Sequence, residues 1–106
     1  MTPPAVPLAC VPGAIPARER AGHFALLARL FGESARGRER LSDGYRYTFD
    51  SDALDDLTAF VANERRCCPF VSFSLEIAPS QGPILLRLTG PAGIHEFLDA
   101  ELPAIL

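Results

Sequence analysis

A chain of 106 residues is long enough to bury one core unaided, and 48% hydrophobic with 22% charged residues matches a globular composition. The formal charge of -3 leaves no basic excess to attract nucleic acid or an anionic membrane surface. No apolar run approaches the roughly 20 residues that a membrane-spanning helix needs, so no membrane association is expected.

Residues 1–7 are proline-rich and are expected to be flexible, with residues 8–106 forming a single domain. The opening MTPPAVPLAC lacks the basic and continuous apolar regions of a secretory signal, which sets a cytoplasmic expectation. Val6 to Val11 reads as a short edge strand, because Pro7 cannot donate to a central ladder. Pro16 suits the first turn of a helix. The following segment places Phe24, Leu27, Leu30 and Phe31 on one apolar stripe, closed by Gly32.

Asp43-Gly44 signals a turn, and Tyr45, Tyr47 and Phe49 alternate with Arg46 and Thr48 as a half-buried strand does. Arg38 to Leu41 is expected to pair with that strand as a hairpin. Ser51 or Asp52 is expected to cap a second helix, with Leu54, Leu57, Val61 and Glu64 along one face and Phe60 beside it. Pro69 disfavours helical geometry at the residue before it, so this helix should end near Cys67. Val71 to Ile77 alternates cleanly, PSQGP is a turn, and Ile84 to Thr89 returns as the second arm of a hairpin. Ile94, Phe97, Leu98 and Leu102 supply the apolar face of a last helix. These elements predict an α+β fold: a mainly antiparallel sheet of about four strands with three helices packed on one face.

Chemistry concentrates in ERRCCPF, residues 64–70. Adjacent Cα atoms lie about 3.8 Å apart, below the roughly 4.4–6.8 Å that relaxed disulfides span, so Cys67 and Cys68 make a poor staple. Three cysteines also rule out a complete internal disulfide framework, leaving reduced thiols, metal ligands or redox groups. Soft ions such as Hg(II), Cu(I) or As(III) take two or three thiolates. Zinc ranks below them, because its structural sites use four ligands and Cys-x₂₋₄-Cys spacing, which is absent.

Cys67, Cys68 and Cys10 are therefore the candidate metal ligands. Arg65 and Arg66 would favour the thiolate forms, and Glu64, three and four residues before the pair, shares their side of the helix. Its ordinary role is to hold an arginine; its sharper roles are proton relay or extra ligand. His23 and His95 read as surface or packing residues. Cysteine is also a common core residue, so a bland buried reading stands beside the functional one.

The pieces LAC at 8–10, GYRYTFD at 44–50, ERRCCPFVSFSLEI at 64–77 and ILLRLTGPAG at 84–93 resemble a group of uncharacterised small bacterial proteins with a Glu-Arg-x-Cys-Cys-Pro-Phe core. Such proteins are often encoded near mercury and other heavy-metal resistance functions. The resemblance implies handling of a soft metal by Cys10, Cys67 and Cys68, with Glu64 and Arg65 beside them.

Three functions remain open at this point. The first is a cytosolic thiol protein that binds a soft metal or metalloid ion. The second is a thiol-dependent oxidoreductase using the vicinal cysteines, although no glycine-rich phosphate loop, GxSxG elbow, HExxH or Cys-x-x-Cys supports turnover. The third is a structural or partner-binding module with buried cysteines, for which an open sheet edge invites a homodimer.

Overall fold

The computed structural model describes residue 11 and residues 13–102. The elements run α1 (Ala17–Arg29), a π-helical turn (Leu30–Ser34), β1 (Ala35–Leu41), β2 (Gly44–Phe49), a short 3₁₀ turn (Ser51–Ala53), α2 (Leu54–Cys67), β3 (Ser72–Ile77), β4 (Ile84–Thr89) and α3 (Ile94–Glu101). The four strands form one antiparallel sheet in the order β1-β2-β4-β3. The expected α+β fold is observed. The N-terminal segment 1–7, most of the Val6 to Val11 strand and Cys10 lie outside the described residues.

Register explains why only one sheet face is covered. Tyr45, Tyr47 and Phe49 stand opposite Leu88, Leu86 and Ile84, which in turn face Phe73, Leu75 and Ile77. All six residues on the two central strands are buried. The opposite face carries Glu39, Arg46, Arg87 and Ser74 in one row across the four strands, with Arg46 paired to Glu39. Side chains alternate along a strand, so a single polar row fixes which face the helices must cover. On the edge strand β1 the core-facing positions opposite Tyr47 and Tyr45 are Arg38 and Arg40. Arg38 stacks its guanidinium 4.1 Å from the Tyr45 ring centre and donates to Asp99 of α3 at 2.9 Å. Charge at the end of the apolar row closes the core while keeping the edge polar.

Ser42 and Asp43 alone connect β1 to β2, and Gly44 opens β2 because a side chain there would overlap the Leu88 carbonyl oxygen. Gly93, at φ 94°, precedes α3 in the left-handed region. Phe31, delivered by the π-turn, meets Tyr47, Phe49 and Phe60 edge-on with centroids 4.9, 5.9 and 5.0 Å away. These contacts join α1, the sheet and α2 into one aromatic cluster.

Two local expectations are corrected. The buried stripe of α1 is His23, Leu26 and Leu27, continuing to Leu30 and Phe31, and Phe24 is 60% exposed. Neither Ser51 nor Asp52 caps α2: both fall in the 3₁₀ turn, and the helix starts from Ala53 without a side-chain cap.

Helices α1 and α2 run antiparallel, tied by polar contacts along their length. Arg29 binds Asp56 at one end, His23 binds Glu64 in the middle, and Arg66 approaches Glu19 to 3.9 Å at the other. The middle tie places α1 against the cysteine-bearing end of α2.

Candidate metal centre

Helix α2 ends at Cys67, as Pro69 requires, and the corner that follows is pinned by the backbone. Cys68 N–H donates to the Glu64 carbonyl at 2.9 Å, Val71 N–H to the Cys68 carbonyl at 3.2 Å, and Val11 N–H to the Cys67 carbonyl at 2.7 Å. The first is the last helical bond of α2, and the third takes up a carbonyl that the helix end leaves without a helical donor. Phe70 packs edge-on against Phe97 of α3, 4.9 Å between centroids, so the corner is also held from the far side. The thiols therefore project from a fixed frame.

Both cysteines are buried, Cys67 with 6% and Cys68 with 0% of its surface accessible. Their sulfurs lie 3.6 Å apart. Cys68 Sγ–H donates to Glu64 Oε1 at 3.2 Å, and Cys67 Sγ–H faces the Glu64 backbone carbonyl at 3.5 Å. One sulfur from each cysteine and one Glu64 oxygen fall within 4.8 Å of one another. The Glu64 side chain turns inward because it sits one helical turn from both cysteines, on the face already used by Leu57 and Phe60.

Sequence reasoning assigned the wrong partner to Glu64. No arginine holds it: His23 Nε2 stands 2.8 Å from Oε2, and both side chains are nearly inaccessible. His23 also lies parallel to the Phe60 ring, 6.4 Å between centroids, while its Nδ1 is buried without a partner among the described residues. A buried histidine at 23 has one readable signal: positions 23, 26, 27 and 30 form a helical stripe as regular as one through Phe24. Nothing in that pattern names Glu64, 41 residues away.

The remaining predicted residues separate. Arg65 and Arg66 are exposed on the last turn of α2; Arg66 leans towards Glu19, and Arg65 makes no ion pair among the described residues. Cys10 is not among those residues, although Val11, its neighbour in sequence, is bonded to Cys67. His95 hydrogen-bonds the carbonyl of Leu41, on the edge strand across the sheet from β3, and takes no part.

Two clefts flank the pair. One, of about 370 Å³, is lined by Val11, Ile15, His23, Phe24 and Cys67, with Arg20 and Glu101 as its charged members. The other, of about 440 Å³, has Arg65, Cys68, Val61, Val71 and Phe73 in its wall.

Chemically the centre offers two sulfurs and a carboxylate oxygen in one buried place. Ionising all three together would concentrate negative charge in a low-dielectric interior, which a cation compensates and water does not. Two bonds of the 2.3 Å length typical of zinc–thiolate, closed over the observed 3.6 Å, subtend about 103° at a shared ion. That angle is near tetrahedral. A linear two-coordinate ion would need the sulfurs roughly 4.6 Å apart on the same bond length. The donor set thus fits an ion with three or four ligands as it stands.

Comparison with protein-family models, with curated proteins and with solved structures finds no match. No helix among the described residues is long and apolar enough to cross a membrane.

Proposed function

We propose that the protein captures a soft metal or metalloid ion, Hg(II), Cu(I) or As(III), with Cys67 and Cys68 as its principal ligands. Cys10 supplies a third sulfur and Glu64 a neighbouring oxygen. The observation that carries this reading is the convergence of the two sulfurs and the Glu64 carboxylate within 4.8 Å at a rigid helix-to-strand corner. Thiolates select soft ions, and a preformed pair binds without the ordering that a flexible loop would need. Arg65 and Arg66 offset part of the negative charge from outside. Such a protein suits a reducing compartment and a role in heavy-metal resistance.

Titration of the reduced protein with Hg(II), followed by ultraviolet charge-transfer absorption, tests the reading. It predicts a band that saturates at about one equivalent per chain and is lost in the Cys67→Ser, Cys68→Ser double variant. Undiminished affinity in that variant would overturn it.

A second reading, in which the cysteines simply fill the core, is favoured by the complete burial of Cys68. It predicts that neither thiol reacts with a water-soluble disulfide until the protein is unfolded, with or without added ion. Oxidoreductase chemistry is less well supported. The chain carries no Cys-x-x-Cys, and Cys68, the cysteine bonded to Glu64, is fully buried.

A further inference from the structure

Among the described residues the large apolar side chains left exposed are Val11, Phe24 and Ile77, at 46%, 60% and 56%. Two of the three, Val11 and Phe24, line the 370 Å³ cleft into which Cys67 opens. The walls of that cleft are predominantly apolar, with Ile15 beneath. Exposed apolar groups gathered around a cleft, with a few polar groups at its base, are the usual make-up of a small-ligand site. The base here is a sulfur whose neighbour is a second sulfur 3.6 Å away.

We infer that the site accepts a trivalent arsenic centre carrying one aromatic substituent, with the ring seated in the Phe24–Val11 cleft. This rests on the proposed capture function and names its ligand class. Inorganic As(III) has three exchangeable oxygens and calls on three thiols. A monoaryl As(III) has two, so Cys67 and Cys68 suffice and the third direction is left for the ring. The step is a condensation without redox change: each thiol gives up its proton and forms an As–S bond, while two As–O bonds break. Two waters leave with the two thiol protons, and arsenic stays trivalent. The ring displaces water from apolar walls and meets Phe24 at the rim.

Burying roughly 60 Å² more apolar surface than a methyl substituent corresponds to about tenfold in affinity at 25 cal/mol per Å². The test measures binding of phenylarsonous acid, methylarsonous acid and arsenite to the reduced protein, by competition against a soluble dithiol. The inference predicts phenyl binding about tenfold tighter than methyl, and reduced about fivefold by Phe24→Ala while arsenite binding is unchanged. Cys10→Ser should weaken arsenite and leave the phenyl compound unaffected. Equal affinity for phenyl and methyl, or a phenyl affinity indifferent to Phe24→Ala, would overturn the inference while leaving capture of the inorganic ion intact. Failure of all three to bind would overturn the inference together with capture of As(III), and the Hg(II) titration separately tests capture of the other soft ions. Phe24 is exposed, so its truncation tests the ligand and not the fold.

Discussion

Removing the His23 imidazole strips a buried carboxylate of its closest partner. In the native protein the two side chains keep only 3% and 5% of their surface and lie 2.8 Å apart. Breaking a buried pair from one side typically costs 3–5 kcal/mol, because the abandoned charge stays out of water. Glu64 retains one hydrogen bond, from Cys68, so the low end of that range applies to His23→Ala: about 3 kcal/mol. At the 4–8 °C per kcal/mol typical of a domain near this size, the midpoint of thermal unfolding should fall by roughly 15 °C. Calorimetry and urea unfolding of the reduced protein would read it. Replacing both partners by apolar residues, His23→Leu with Glu64→Met, removes the abandoned charge and should recover much of the loss. A fall of less than about 3 °C in His23→Ala, or a double variant weaker than the single one, would refute the buried-pair argument.

Phe24→Ala should change unfolding free energy by less than about 0.5 kcal/mol, whereas Phe31→Ala, at the centre of the aromatic cluster, should cost about 3–5 kcal/mol in urea unfolding. Gly44→Ala drives a methyl into the Leu88 backbone, so it should destabilise far more than Gly32→Ala, where a methyl meets open space; thermal midpoints of the two variants would rank them. The Asp56 carboxyl is held below the ordinary carboxylate range, chiefly by its hydrogen bond from Arg29. Its folded pKa lies below the unfolded one, so its contribution is present above about pH 4 and disappears as pH falls through the folded value. Asp56→Asn should therefore flatten the acid limb of stability against pH, and 1 M salt should shrink the difference because the pair is exposed. An acid limb identical in the variant and the parent would count against that assignment.

Much of the architecture was readable because local chemistry and tertiary packing agree. Asp43-Gly44 marks the tight hairpin, period-two alternation marks β2 and β3, the PSQGP turn marks the return into β4, and Pro69 stops α2 at Cys67. The proximity of Glu64 to the cysteines was readable too, since three- and four-residue spacing on a helix puts side chains on one side. What failed was one inward position and its partner. On α1 the expected Leu27, Leu30 and Phe31 are buried, but His23 takes the inward place that hydropathy favours for Phe24, and there it meets Glu64. A buried carboxylate needs a partner, and that need outweighs the burial of one phenylalanine. The partner sits on another helix, where no local pattern points to it. The π-turn that carries Phe31 into the core was equally silent, because Gly32 reads as an ordinary helix stop.

The central claim, that one ion is shared by Cys67 and Cys68, meets its most direct test in X-ray absorption of the reduced protein loaded with one equivalent of As(III). The account predicts a first shell made of sulfur, three atoms in the parent and no more than one in the Cys67→Ser, Cys68→Ser variant. A shell of oxygen alone in the parent, or one that keeps its sulfurs without those two residues, would contradict it.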